Sequence, residues 1–196
     1  MPRLLLATNN PGKAREYKSL LEGVPFELVT PAEVGITTEV EETGKTFEAN
    51  ARLKATTLAA ESGLLSLADD SGLEVEALGG EPGTRSARYA GDNATDADRV
   101  RYLLSKMKDV PEGKRQARFR CIIAIADPQG RVEICSGRCH GVITLAPKGD
   151  KGFGYDPVFY MPELGRTMAE LSPEEKNGVS HRGRAAQKAR AFLMKA

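Results

Sequence analysis

The sequence concentrates its chemically capable side chains in a few short stretches. Asp69-Asp70-Ser71-Gly72 sets two carboxylates side by side. Adjacent carboxylates repel each other, and magnesium, or a base poised over a water, would explain the pair. The same residues also suit an Asp-Ser-Gly turn in which one acid caps a backbone N–H. Glu41-Glu42 offers a further metal ligand or a solvated face. Thr8-Asn9-Asn10-Pro11-Gly12-Lys13 combines a hydroxyl, two amides, a helix-start proline and a lysine, the makings of a phosphate cradle. It is not a P-loop: Ala7 stands where the first glycine is required and Ala14 where Ser or Thr follows the lysine. Gly152-Phe153-Gly154-Tyr155-Asp156-Pro157 frames an aromatic ring with glycines, so that a flat ligand can stack on it and an acid can accept from ring N–H groups. Lys176 and Ser180-His181-Arg182-Gly183 place cations at the start of the last helix, against its dipole, where an anionic or oxygen-rich ligand would offset the cost.

These stretches sit at the ends of recognisable elements. Leu4 to Ala7 reads as a buried strand ahead of the cradle, and a helix from about Lys13 to Leu21 follows it. Phe26 to Val29 is a second strand. Thr46 caps a helix to about Ser62, ended by Gly63, with Phe47, Asn50, Ala51, Lys54, Ala55 and Leu58 on one stripe. Lys54 within that stripe either reaches solvent or meets an anion. Leu64 to Ala68 is a strand that stops at the paired acids, and Leu73 to Ala77 alternates as another. Thr95 and Asp98 form a capping box for a helix to about Met107. Phe119 to Ile125 alternates, Asp127 to Gly130 turns, and a strand runs across Val132 to Leu145. Ser172-Pro173-Glu174-Glu175 starts a short helix broken at Gly178, and Ser180 caps a last helix with Ala185, Ala189, Phe192 and Leu193 inward. Alternating strands and helices with adjacent strand pairs predict an α/β fold: a mixed central β-sheet with flanking helices.

The chain has 196 residues, 40% hydrophobic and 28% charged, which suits a single domain spanning residues 1–196. Its formal net charge of +1 gives no field that would gather nucleic acid or an anionic membrane. The longest charge-free stretches, Leu4 to Gly12 and Cys139 to Pro147, fall well short of a membrane span, and no signal-peptide core follows Met1. Three cysteines make no disulfide framework, and Cys135, Cys139 and His140 read as strand residues rather than metal ligands. A cytoplasmic protein is expected. Without a Gly-x-Ser-x-Gly elbow and with only two histidines, a serine hydrolase is disfavoured.

The order of the motifs resembles the noncanonical purine nucleoside triphosphate pyrophosphatases, the inosine/xanthosine triphosphatase family, in their bacterial form. The matching stretches are Thr8 to Lys13, Glu41 to Gly44, Phe47 to Lys54, Ala68 to Leu73, Ser86 to Gly91, Gly152 to Pro157 and Ser180 to Gly183, spread over nearly the whole chain. The resemblance implies two lobes around an active-site cleft, a homodimer, and a magnesium (Mg2+)-dependent reaction giving a nucleoside monophosphate and pyrophosphate. Carried over by position, Thr8, Asn9, Asn10, Pro11, Gly12 and Lys13 hold the phosphates; by its own charge Lys54 would join Lys13 in stabilising the departing pyrophosphate. Glu41 and Asp70 are the metal ligands. Asp70 is also the proton acceptor, and Ser71 touches substrate. Phe153, Gly154, Tyr155, Asp156, Lys176, His181 and Arg182 surround the base. The implied substrates are ITP, dITP and XTP. Two other readings are a general nucleotide triphosphatase and a non-enzymatic nucleotide-binding module.

Overall fold

A computed structural model describes residues 1–196. Its β-strands form one seven-stranded mixed sheet. In chain order they are β1 (Arg3–Leu6), β2 (Glu27–Val29), β3 (Leu65–Val75), β4 (Gln116–Ala126), β5 (Val132–Ile143), β6 (Phe159–Met161) and β7 (Arg166–Thr167), arranged β2-β1-β3-β4-β5-β6-β7. β1 pairs in parallel with β2 and β3, whereas β5–β6 and β6–β7 are antiparallel. The helices are α1 (Pro11–Leu20), α2 (Phe47–Ser62), α3 (Asp96–Lys106), α4 (Pro173–Val179) and α5 (His181–Leu193). The expected α/β class is borne out, and no helix is long and apolar enough to cross a membrane.

Contacts divide the chain into two compact units: Met1–Asp70 with Cys121–Gly137 and Arg182–Ala196, and Ser71–Arg120 with Arg138–His181. In the first unit, strand alternation sends side chains to opposite faces. Leu4, Leu6, Leu67, Cys121, Ile123 and Ile125 meet Tyr17 and Leu21 of the α1 region and Ala185, Ala186, Ala189 and Leu193 of α5. Their neighbours Leu5, Ala7, Ala68, Ile122, Ala124 and Ala126 meet Phe47, Ala51, Ala55, Leu58 and Ala59 of α2. Helices cover both faces of these strands, with small alanines along α2 and α5 at the contact, which is why the strands here read as continuous apolar runs. On α5, Ala186 takes an inward place, while Phe192 is exposed rather than inward.

The second unit has its own core, in which Val100, Leu103 and Met107 at helical spacing pack with Leu73, Val75, Phe119, Val158 and Phe159. Arg115 is buried there with its guanidinium donating to the main-chain carbonyls of Met107, Val110, Ile143 and Thr144. Those four acceptors tie the end of α3 to the end of β5.

The caps expected for α2, α3 and α4 form. Thr46 accepts from Ala49 N–H, Gly63 ends α2 in the left-handed conformation, and Thr95/Asp98 and Ser172/Glu175 make complete capping boxes. Two expectations about element ends fail. Gly178 does not break α4, which runs through it to Val179. The paired acids do not end a strand in a turn: β3 runs unbroken through Asp69, Asp70, Ser71 and Gly72. Partners found far along the chain, described below, override the local turn preference of these residues.

Candidate active site

Because β3 continues, its alternation places Asp69 and Asp70 on opposite faces of the sheet. Asp69 shares the face of Leu67. Its Oδ1 accepts from Lys13 Nζ at 3.0 Å, its Oδ2 lies 3.5 Å from Arg182 Nε, and Cys121 Sγ lies 3.7 Å from the same oxygen. The main-chain carbonyl of Asp69 accepts from Lys54 Nζ. Burial pushes the Asp69 carboxyl up, but Lys13, Arg182 and Lys54 outweigh burial and hold it well below the usual carboxylate range.

Asp70 faces α2. Asn50 Nδ2 donates to its Oδ2 at 2.9 Å, and Asn50 Oδ1 accepts from Gly44 N–H at 2.7 Å. Gly44 must be glycine, since a Cβ there would lie 2.6 Å from Asn50 Oδ1. Burial first, and then the charge of Glu42, push the Asp70 carboxyl from its ordinary 3.8 up to about 6. Two neighbouring acids are thus driven apart: one is locked as a carboxylate among cations, and the other is poised near neutrality. Such divergence is the usual mark of an assigned acid–base pair.

Lys54 is half-buried in the stripe predicted for it. It meets Glu42 at 2.6 Å, and although burial disfavours its charge, Asp69 and Glu42 keep its ammonium firmly protonated. The Thr8–Lys13 segment shapes itself. Thr8 Oγ1 accepts from Asn10 N–H and Asn10 Oδ1 accepts from Lys13 N–H, each at 3.1 Å, with Pro11 opening α1. Asn9 is exposed and Gly12 buried. Three residues here escaped the sequence reading. Glu16 holds Arg182 Nη1 at 2.7 Å, Tyr17 lies under the guanidinium at 6.0 Å, and Cys121 sits between Tyr17 and Asp69. The only local signal for Glu16 and Tyr17 is their i+3 and i+4 spacing from Lys13.

No group of three or more His, Cys, Asp or Glu side chains suited to a metal ion forms in the protein. Magnesium asks for less: one or two carboxylates, with phosphates and waters filling an octahedron. Asp70 and Glu42 provide hard oxygen donors whose mutual repulsion such a cation would relieve, so the donor set fits. Glu41, the ligand expected from sequence, is exposed; its neighbour Glu42, drawn in by Lys54, is the acid whose charge reaches Asp70.

The second unit gathers the other expected residues. Asp156 is buried, and its Oδ2 accepts from Phe153 N–H at 3.0 Å and from Lys176 Nζ at 2.7 Å. Lys176 Nζ stands 4.6 Å from the Phe153 ring centroid, within cation–π range. Gly152 has φ +70 and would put a Cβ 2.2 Å from Asp156 Oδ2, so both its backbone and its neighbour demand glycine. His181 is buried and stacks on Phe119, with ring centroids 4.6 Å apart and planes 15° apart. Ser71 is half-buried beside Asp70 in sequence.

A sequence profile of the Ham1 family matches residues 4–192. The chain belongs to the Ham1 family. Among its relatives, a dITP/XTP pyrophosphatase of Geobacter sulfurreducens is 53% identical over 185 residues, covering 94% of this chain and 93% of that one. One of Desulforamulus reducens is 51% identical over 191 residues, covering 97% and 95%. A solved Ham1 structure from Coxiella burnetii has a TM-score of 0.91 at 42% identity and covers 100% of both chains. The Staphylococcus aureus Ham1 protein follows at 0.88 and 41%, covering 98% of each. The family so shown is the one that the motif order resembles.

Proposed function

We propose that the protein hydrolyses noncanonical purine nucleoside triphosphates (ITP, dITP and XTP) to the monophosphate and pyrophosphate, cleansing the nucleotide pool. The observation that carries this reading is the divergence of Asp69 and Asp70 on one strand, within a cluster of three cations. Relatives about 50% identical, named dITP/XTP pyrophosphatases, supply the substrate class.

Phosphoryl chemistry asks mainly for positioning and charge neutralisation. Lys13 and Lys54, with the N–H groups at the start of α1, take the triphosphate, and Thr8, Asn9, Asn10, Pro11 and Gly12 shape that end. Asp70, held by Asn50, accepts the proton of the attacking water. Asp70 with a carboxylate of the Glu41–Glu42 pair would hold magnesium, Glu42 being favoured by its charge on Asp70, and the ion would supply neutralisation of phosphate charge. Asp69 keeps Lys13 and Lys54 aimed. Ser71 touches the nucleotide. The purine lies on Phe153 among Gly154, Tyr155, Asp156, Lys176, His181 and Arg182. Donors among these suit O6 of hypoxanthine and xanthine, whereas the amino group of adenine would leave a buried donor unpaired at ~1–3 kcal/mol. The working form is a homodimer in the cytoplasm.

Initial rates with magnesium on ITP, dITP, XTP, GTP and ATP, counting pyrophosphate and orthophosphate separately, test the reading. Pyrophosphate from the first three and little from the others supports it. Orthophosphate, or equal rates on all five, makes the protein a general triphosphatase, and binding without turnover makes it a nucleotide-binding module.

A further inference from the structure

Ser86-Ala87-Arg88-Tyr89-Ala90-Gly91 is a family-like stretch for which the proposed reaction has no substrate contact. In the structure it forms one side of a closed ring of hydrogen bonds. Tyr155 Oη donates to the carbonyl of Ser86 at 2.7 Å. The next carbonyl, of Ala87, accepts from Arg99 Nε at 2.7 Å. Arg99 Nη1 reaches Asp96 Oδ1 at 2.7 Å, and Asp96 Oδ2 accepts from Gly154 N–H at 2.9 Å. The covalent bonds Ser86–Ala87 and Gly154–Tyr155 complete the circuit. Ser86 itself is anchored, its Oγ accepting from Leu73 N–H at 2.9 Å and donating to Gly83 O at 2.6 Å.

From this ring we infer that Asp96 and Arg99, on the first turn of α3, are positioning residues for the nucleotide base. They act through the backbone of the glycine-framed loop that carries Phe153. The inference rests on the reading above that the purine lies on Phe153. Asp96 is at the start of α3 but does not cap it, since the Thr95/Asp98 box does that. Its two oxygens are divided between Arg99 and the loop. Gly154 sits at φ +63 between Phe153 and Tyr155, so without an external tether this segment has more conformations than one. Asp156 fixes the loop at the Phe153 N–H. The ring fixes it one and two residues further on, at Gly154 N–H and Tyr155 Oη. A loop held before the ligand arrives spends no binding energy on ordering. Loss of the ring is therefore felt in ligand binding and not in phosphate chemistry, which uses other residues.

The test is steady-state kinetics on ITP with magnesium for Asp96→Ala, Arg99→Met, the double variant, Asp98→Ala and Phe153→Ala, each with a melting curve. Asp98→Ala is the structural control: it breaks the capping box of the same helix turn, where Asp98 Oδ2 accepts from Thr95 N–H at 2.9 Å, and leaves the loop untouched. The expected result is a KM raised about five- to tenfold in Asp96→Ala and Arg99→Met, with kcat within about twofold of the parent. The double variant is expected to be no worse than the worse single one, because both break one circuit. Asp98→Ala lowers the melting temperature yet keeps KM within about twofold. The inference is overturned if Phe153→Ala raises KM and Asp96→Ala does not, or if Asp98→Ala raises it equally. If Phe153→Ala leaves KM for ITP unchanged, it is the base-site reading that fails, and the positioning role falls with it.

Discussion

Arg182 and Asp69 meet in the interior, Nε 3.5 Å from Oδ2, with side chains 3% and 1% exposed. The guanidinium is also held by Glu16, so one cation binds two acids from different elements. Burial opposes the charge of Arg182, but Asp69 and Glu16 outweigh it and hold the guanidinium more firmly protonated than usual. Removing one partner from a buried ionic cluster costs far more than the cluster contributes, because the remaining charge is left unpaired.

Arg182→Met should therefore lower stability by about 3–5 kcal/mol, read from urea midpoints. Adding Glu16→Gln to that variant should recover part of the loss. A single variant as stable as the parent would show that the cluster is not dry.

Asp70→Asn should lower turnover on ITP by ~10²-fold or more while nucleotide still binds. Its melting temperature should stay level or rise at neutral pH. A carboxyl raised to about 6 in the folded chain costs stability once it ionises, and the amide removes that cost while still accepting from Asn50. Near-parent turnover would remove Asp70 from the mechanism.

The two neighbouring glutamates should separate. Glu42→Gln is expected to raise the magnesium concentration needed for half-maximal activity about tenfold or more, since it removes the charge that acts on Asp70 and leaves Lys54 tied only to the Asp69 carbonyl. Glu41→Gln should change it less than about twofold. The reverse ranking would assign the ligand to Glu41.

The cysteines should be chemically silent. All three are buried and none is in a disulfide, and burial followed by the Asp69 charge pushes the Cys121 thiol from its ordinary 9.0 up to about 12. A thiol reagent at pH 8 should label none in the native protein and all three in denaturant. The sign for stability follows. With the folded thiol raised above the unfolded one, the Cys121 contribution is complete below pH 9.0 and declines from there toward pH 12. Rapid native labelling would mean that the layer beneath Asp69 opens readily.

What was legible in the sequence was local. Thr46 and Gly63, Thr95 with Asp98, and Ser172 with Glu175 mark helix ends through hydrogen bonds made within a turn, and the structure forms each of them. The Lys54 stripe was visible because helical spacing is local too. What stayed hidden depends on partners distant in sequence: Glu16 meets Arg182 across 166 positions, and Asp69 meets Lys13 across 56. Those partners, with Ser86 holding Leu73 N–H, keep an Asp-Asp-Ser-Gly segment extended where local preference favours a turn. Phe192 was misplaced for a related reason: hydrophobicity pointed it inward, but Ala186 and Ala189 provide the close packing that α5 needs.

The alternation of β3 also limits how this chain can change in length. Deleting a single codon between Leu65 and Ala68 would turn both acids over, moving Asp70 into the place of Asp69 before Lys13 and Arg182, Asp69 into the place of Ala68, and Ser71 opposite Asn50. Every residue type would survive and the chemistry would not. In this strand, heredity must conserve spacing as strictly as identity.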